Sequence, residues 1–539
     1  MTNSTSPRAE LLAIQKKLWR WNKDLIDHSI LVREPGFKSY ERAYKHAVRD
    51  YERIADQSEM IKAILKADII YIGDYHTCNQ SQRSFLRILK AVVKRDKNFV
   101  IGMELLHSRH QKTLDQYLSG KIGENTFLAR ICLQEHWVFD LWSNFKPLFD
   151  FCKYPHIHML AIDAAPLGSE VHERDEAAAK VVTRFIAENP NKRMFVFIGD
   201  LHVAPQHLPK DMKCALNKYD LKLNELILYQ NSESIFWKLA ECGLDDSVEV
   251  VRLSDGNFCR MHTPPVVSQR SYLNWLEHEE GEIDYADAKS SFMEIVDRIC
   301  GFLNIRLGKK RDNVEVFTCG DLSFLKKLKQ SGSFTKKEFE TIKRQILASE
   351  SYYIAKTKFV YLANLSLNHA AEEAAHFIKN LCSGEEEPRE TIDAFYANIL
   401  HEALGFFGSK IINHKRKCYH EKDFANLLAY FKTVRVTRER KLEYETAHLV
   451  TEYKRLEKRG MALANADIFH SRMDLFMSLT HALGYMLGDR LYYGLVSGAV
   501  KKPLIRDLFY NPWAEEGEPV EAYMYLYNRL KKVRIPKRM

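Results

Sequence analysis

The chain has 539 residues, too many for one hydrophobic core, so at least two folded domains are expected. Hydrophobic residues make up 46% of the chain and charged residues 28%, which excludes a disordered or membrane-embedded protein. The net charge of +9, from 80 basic and 71 acidic residues, is too small for this length to require a nucleic-acid partner.

Residues 1–60 are predicted to form an N-terminal helical segment. Polar and apolar residues alternate at helical spacing in ELLAIQKKLWRWNKDLI and in YKHAVRDYERIADQSEMIKAIL. The first residues hold no continuous apolar core, no cleavage site and no cysteine that could accept a lipid. We therefore expect a cytoplasmic protein without a membrane span, whose 10 scattered cysteines are reduced thiols.

Short apolar runs separated by helical stretches occupy residues 61–262. In chain order these runs are ADIIYIG, NFVIGME, IHMLAID, RMFVFIG, ELILYQ and VEVVRL. Short β-rich runs that alternate with helices of about ten or more residues are typical of βα units. The pattern therefore predicts an α/β domain in which a mainly parallel sheet is flanked by helices.

The chain changes character at Thr263-Pro264-Pro265, after which β-type runs almost stop. NVEVFTCG remains as one strand candidate, and the capping-box sequence from Thr335 to Glu338 predicts the start of a helix. We therefore predict three parts: the N-terminal helical segment, the α/β domain, and a large helical C-terminal domain over residues 263–539.

Two loops of the predicted α/β domain share the sequence Ile-Gly-Asp-x-His. Ile72–His76 follows the run ADIIY, and Ile198–His202 follows the run RMFVF. Two other predicted strands end in the carboxylates Glu104 and Asp163. Because the carboxyl ends of parallel strands meet at one edge of a sheet, we expect these side chains at a common rim.

His76, Glu104 and His202 form the predicted site. Two imidazoles and a carboxylate suit a divalent transition metal ion, which lowers the pKa of bound water or polarises a carbonyl. Without a metal ion, a histidine can act as general base while a carboxylate orients it. The alternative is that each Gly-Asp pair only makes a turn, but the repetition in matching context favours a shared site.

The stretch from Ile72 to Pro205 resembles the ChaN-like haem-binding proteins of the Tiki/TraB superfamily, whose relatives include Tiki-type metallopeptidases and erythromycin esterases. The resemblance covers about 200 residues of the α/β domain and none of the helical half. The residues that carry it are Gly73–His76, Glu104, the following HQKTLDQYLSGKIGENTFL, the aromatic stretch with Trp137, Trp142 and PLFDF, the pair Arg174-Asp175, and Gly199–His202.

This resemblance implies a ChaN-like fold and either a haem- or iron-binding protein or a metal-dependent hydrolase of peptide or ester bonds. The family's haem ligand is a tyrosine, for which Tyr117 and Tyr75 are the candidates here. Asp74 stands where relatives commonly carry Glu, so a scaffold protein with a degenerate site is a third function class. The residues expected to contact a cofactor, or to hold the histidines that do, are Gly73, Asp74, Tyr117, Arg174, Asp175, Gly199 and Asp200.

The helical half carries histidines and glutamates at the spacing of helix-borne metal sites, in which residues three and four apart are neighbours. They could form a second metal site or only an interhelical polar network. The sequences HEALGFFG and HALGYMLG place glycines on helices that could cross closely or form a homodimer. The candidate ligands are His369, Glu373, His376, His401, Glu445 and His448.

We place the binding function first, with haem or a divalent transition metal ion as cofactor. The hydrolase alternative would use His76, Glu104 and His202 as catalytic residues on a small-molecule or peptide substrate. No nucleic-acid partner is expected.

Overall fold

The computed structural model describes residues 6–29, 35–132, 141–153, 157–166, 168–279, 285–318, 321, 323–347, 351–363, 366–384, 388–463 and 466–536. The chain divides into two compact units. One, the α/β unit, spans Trp19–Glu282, and the other, the helical unit, spans Ile283–Lys537 together with Met1–Leu18. The three-part division made from the sequence stays a prediction.

The α/β unit is built on an eight-stranded sheet of order β1-β7-β8-β6-β2-β5-β3-β4. The pairs from β8 to β4 are parallel, and β7 pairs antiparallel with both β1 and β8. The predicted mainly parallel sheet is therefore confirmed. The strands are β1 (Arg53–Ala55), β2 (Ile69–Asp74), β3 (Phe99–His107), β4 (His158–Asp163), β5 (Arg193–Gly199), β6 (Glu225–Gln230), β7 (Val250–Arg252) and β8 (Phe258–Arg260).

Helices of this unit separate the strands along the chain, as βα units require. They pack a continuous apolar core against the sheet, which includes Phe85, Phe197 and Phe145. The helices are α1 (Pro7–Ser29), which belongs to this unit from Trp19 onward, α2 (Pro35–Ala47), α3 (Gln57–Ile64), α4 (Asn79–Val92), α5 (Gln111–Leu118), α6 (Glu124–Ile131), α7 (Trp142–Lys153), α8 (Val171–Glu188), α9 (Leu208–Asn217), α10 (Glu233–Glu241) and α11 (Pro265–Glu279).

The central strands are apolar along their length because both faces of the sheet are covered. All six residues of β2 are buried, and so are all residues of β5 after Arg193. All six apolar runs of the predicted domain form strands. Strand β1 lies in the stretch whose spacing predicted a helix, and β8 was not predicted because its three residues are too few to show a period.

The helical unit is predominantly helical, as predicted. It also holds a small sheet of order β10-β11-β9, in which the strand candidate NVEVFTCG supplies β9. Its elements are α12 (Tyr285–Leu303), β9 (Glu315–Thr318), α13 (Ser323–Ser331), α14 (Lys336–Leu347), β10 (Tyr352–Ile354), β11 (Phe359–Leu362), α15 (Leu367–Ser383), α16 (Thr391–Ile412), α17 (Glu421–Phe431), α18 (Lys441–Lys458), α19 (Ile468–Ser471), α20 (Met473–Val496), α21 (Lys502–Tyr510) and α22 (Glu518–Leu530).

Local signals in this unit act as the sequence indicates. The backbone N–H of Thr335 donates to Glu338 Oε2 at 2.7 Å, and the N–H of Glu338 donates back to Thr335 Oγ1 at 3.3 Å, which is the predicted capping box. Glycine lets α16 and α20 cross closely, because a Cβ on Gly488 would lie 2.5 Å from the carbonyl oxygen of Ala403.

Among the residues that the structure describes, no helix is both long and apolar enough to cross a membrane. The nine cysteines within those residues are free thiols.

Candidate functional site

The sheet order brings both Ile-Gly-Asp-x-His loops to one edge. Strands β2 and β5 are parallel neighbours, and Asp74 at the end of β2 pairs in register with Gly199 at the end of β5. Strand β3 lies on the other side of β5, and its register with β4 shifts between Met103 and His107. Glu104 thus lies where the ladder is interrupted, a setting in which strands commonly redirect a side chain toward a site.

His76, Glu104 and His202 meet at this edge, and we call them the histidine–glutamate centre. His76 Nε2 lies 3.5 Å from Glu104 Oε2, and His202 Nε2 lies 3.6 Å from Glu104 Oε1. A Cβ on Gly199 would lie 3.3 Å from His76 Nε2 and 3.2 Å from His202 Cδ2. Glycine at this position therefore keeps the space between the two imidazoles open.

Each imidazole is held from behind by a carboxylate. His76 Nδ1 lies 2.8 Å from Asp74 Oδ2, and His202 Nδ1 lies 2.6 Å from Asp175 Oδ1. The Gln82 amide donates to the other oxygen of Asp74 at 2.6 Å. A carboxylate at Nδ1 accepts the proton there and fixes the ring, so the Nε2 atom of each imidazole is directed toward Glu104.

Tyr40, from helix α2, adds a contact that the sequence did not indicate. Its hydroxyl donates to Asp175 Oδ2 and lies 3.0 Å from His202 Nδ1. Its ring stacks on His207 with the ring centroids 3.4 Å apart, and His207 Nδ1 donates to the carbonyl of Leu201 at 2.6 Å. Tyr40 is far from His202 in the sequence, and Gln82 belongs to no recognisable motif. No feature of the sequence therefore indicated that these two residues belong to the site.

Glu104 is buried and its carboxylate is fully engaged. Arg174 donates to Oε1 at 2.7 Å, and the backbone N–H of Gly199 donates to Oε2 at 2.7 Å. Burial alone would raise the pKa of Glu104, but His202, His76, Arg174 and this amide lower it to about 2. Glu104 is therefore an anion at neutral pH.

The two histidines differ in exposure. The His76 side chain is 27% exposed, whereas that of His202 is 7% exposed. Burial tends to lower the pKa of His76, but the hydrogen bond to Asp74 and the charges of Glu104 and Asp74 raise it to about 9. His76 is thus the member of the centre that a large ligand can reach.

Asp200 packs against Gly73 of the other loop. A Cβ on Gly73 would collide with its Oδ1 atom, so glycine at position 73 permits the two loops to pack together. Burial and the charge of Asp74 raise the pKa of Asp200 to about 8, which keeps its carboxyl protonated at neutral pH. Asp163 lies 3.5 Å from Arg174, at the outer side of the ion pair with Glu104.

The groups around the histidine–glutamate centre include more carboxylates than cationic side chains. Asp74, Glu104 and Asp175 lie beside the imidazoles, and Arg174 donates to Glu104. A proton on His76 or a bound cation would balance the excess. The two imidazoles approach different oxygens of Glu104: His76 Nε2 lies 3.5 Å from Oε2, and His202 Nε2 lies 3.6 Å from Oε1.

The tyrosine candidates lie in packed surroundings. Tyr117 is buried and its ring stacks on Phe127 with centroids 4.3 Å apart, beside Trp142 and Phe149. Tyr75 packs edge-on against Tyr272. None of the contacts described for the centre involves Tyr117, and Trp137 lies outside the described residues.

The six candidate ligands of the helical half do not come together as one set. Glu445 pairs with Arg472 at 2.7 Å, and His448 is exposed beside Glu452. His401 packs against Trp513. The remaining three, His369, Glu373 and His376, lie on α15, where His369 and Glu373 are one turn apart. Burial raises the pKa of Glu373 well above its ordinary value.

Comparisons with known proteins match the first part of the α/β unit. Residues 60–166 match the family model described as "Haem-binding uptake, Tiki superfamily, ChaN". That segment holds His76 and Glu104 but ends before His202. A solved structure described as "Cofacial heme binding to ChaN of Campylobacter jejuni" is 15% identical with a TM-score of 0.24, and the match covers 33% of this chain and 86% of that one. No match was found among the curated proteins.

Proposed function

We propose that the α/β unit is a haem-binding domain of the ChaN type and that its ligand is held at the sheet edge beside His76. The observation that carries this proposal is that the segment matching a haem-binding family model contains the one partly exposed imidazole of the centre. Imidazole is among the common protein ligands of haem iron. Once bound, haem would supply an iron that takes part in iron handling or electron transfer.

The residues at this edge would have different roles in holding haem. Nε2 of His76 faces away from its Asp74 partner and would be the ligand of the iron. The Phe145 ring lies 6.5 Å from the His76 ring and offers an apolar neighbour. His202 is too buried for a flat macrocycle to approach its Nε2 atom, so its contribution is to fix Glu104 and the charge of the site.

A haem titration of the purified full chain tests this proposal. We expect an absorbance shift that saturates at a fixed stoichiometry and a loss of affinity of tenfold or more in His76→Ala. His172→Ala is the matched control, because His172 is an exposed histidine of the same unit that pairs with Glu170. Haem binding that does not saturate, or that is equal in both variants, contradicts the proposal.

A second candidate is a metal-dependent hydrolase of ester or peptide bonds. It is favoured by the pair of carboxylate-held histidines, which is the arrangement that protein metal sites use to orient imidazole ligands. His76, Glu104 and His202 would hold a divalent ion, which would supply an activated water. Arg174 would then stabilise negative charge that develops on the substrate.

Metal analysis and an ester assay on the same preparation separate the two candidates. A hydrolase requires about one equivalent of a divalent ion per chain and an ester hydrolysis rate that falls strongly in His202→Ala. A haem-binding domain requires neither. If the chain binds no haem and no metal ion, both candidates fail, and a scaffold with a degenerate site is what remains.

A further inference from the structure

Three helices of the helical unit bring a second set of ligand-type side chains together. Glu372 lies on α15, Glu402 on α16 and His481 on α20, and one ligand atom of each lies within 4.8 Å of the others. His481 Nδ1 lies 2.9 Å from Glu402 Oε2. We call these three residues the bundle cluster. His481 was not among the candidate ligands that the sequence indicated.

Glycines create this arrangement. The similar sequences HEALG and HALG each place a glycine three residues after a member of the cluster: Gly405 after Glu402 and Gly484 after His481. A Cβ on Gly484 would collide with Glu402, and one on Gly405 would lie 3.1 Å from Glu372 Cγ. The glycines therefore let the three helices approach closely enough for their ligand atoms to meet.

A fourth side chain borders the cluster. A Cβ on Gly405 would also lie 2.6 Å from His376 Nε2, so the imidazole of His376 occupies the space that this glycine leaves. His376 follows Glu372 by four residues and shares its face of α15. His376 and Glu372 thus both border Gly405, beside the bundle cluster.

Charge and access suit a cation at this place. Glu372 is buried and accepts from Arg416 at 2.8 Å, while Arg416 also donates to the Tyr485 hydroxyl at 2.9 Å. The Arg416 guanidinium balances the charge of Glu372. The charge of Glu402 can then be balanced by His481 or by a bound cation. The His481 side chain is 51% exposed, so an ion can enter from solvent at its side.

We propose that the bundle cluster binds a divalent transition metal ion, with Glu372, Glu402 and His481 as its ligands. Carboxylate and imidazole together form the ligand set that zinc and the neighbouring transition metals accept. An ion bound there ties α15, α16 and α20 to one another and stabilises the folded helical unit. This proposal is independent of the function proposed for the α/β unit, because no residue is shared.

The test is a zinc titration of the full chain after treatment with a chelator. It uses the background variant His76→Gln/His202→Gln, in which the histidine–glutamate centre cannot contribute both imidazoles. We expect one zinc ion per chain and a rise in the thermal midpoint of the helical unit. Either Glu402→Gln or His481→Gln should weaken zinc binding by tenfold or more and abolish that rise.

His448→Gln is the matched control, since His448 is an exposed histidine of the same unit that pairs with a glutamate, Glu452. It should bind zinc as the background does. Zinc affinity that is unaffected by both cluster variants, or lowered equally by the control, overturns the proposal. If the background variant does not fold, the same titration of the otherwise native chain with and without Glu402→Gln should differ by one ion, and no difference overturns the proposal.

Discussion

Replacement of Glu104 by glutamine removes the charge on which the histidine–glutamate centre is built. In the folded chain the pKa of Glu104 is lowered from its ordinary value of 4.5 to about 2. That lowering corresponds to roughly 3 kcal/mol in favour of the ionised carboxylate. Glutamine keeps one acceptor oxygen for Arg174 or Gly199 but loses the attraction to both imidazoles and to the guanidinium.

We therefore expect Glu104→Gln to destabilise the metal-free and haem-free α/β unit by about 3 kcal/mol at neutral pH. For a unit of this size the thermal midpoint should fall by roughly 6–10 °C, which differential scanning calorimetry resolves. The surface variant Glu59→Gln is the control. Its pair with Arg53 is largely exposed, so its loss should cost less than about 1 kcal/mol.

The same variant predicts a pH dependence whose sign follows from the lowered pKa. A carboxyl whose folded pKa is depressed contributes stability above its unfolded pKa of 4.5 and loses it as the pH falls through about 2. The difference in free energy of unfolding between the native chain and Glu104→Gln should have its full value at pH 7 and become smaller below about pH 4.5. A variant as stable as the native chain at pH 7, or a difference that does not change with pH, would refute the reasoning.

Two further predictions concern the surroundings of the histidine–glutamate centre. Tyr40→Phe should keep the stacking on His207 but lower the stability of the α/β unit by about 1–2 kcal/mol, because Asp175 loses a buried donor; an unchanged thermal midpoint would contradict this. Gly199→Ala should weaken binding of haem or a metal ion at least tenfold with little change in folding, because its Cβ would enter the space between the imidazoles; equal affinity by titration would speak against that space as the ligand site.

The sequence indicated the sheet and its rim because both depend on local patterns. Buried strands such as β2 and β5 are continuous apolar runs that the sequence shows directly. The sequence Ile-Gly-Asp-x-His follows each of them, which places both loops at the ends of strands. Parallel order then brings the loops together. The contacts that complete the site are different in kind. Tyr40 reaches Asp175 across 135 residues of sequence, and nothing near Tyr40 signals that contact.

The helical half shows a different limit of sequence reasoning. The spacing Glu-x-x-His selects residues on one helix, such as Glu373 and His376, but a site between helices takes its members from several helices. Which members meet depends on how the helices cross, and that is set by Gly405 and Gly484. The repeated sequences HEALG and HALG indicate where the helices cross, since each glycine follows a residue of the bundle cluster by about one turn.

We propose that haem bound to the α/β unit takes His76 as an iron ligand. Resonance Raman and electron paramagnetic resonance spectra of the haem-loaded full chain test it most directly, because they distinguish imidazole from phenolate bound to iron. We predict a histidine-type spectrum in the native chain and in His172→Ala, and its loss in His76→Ala. A tyrosinate-type spectrum that His76→Ala leaves unchanged would contradict the claim and return Tyr75 or Tyr117 as the ligand.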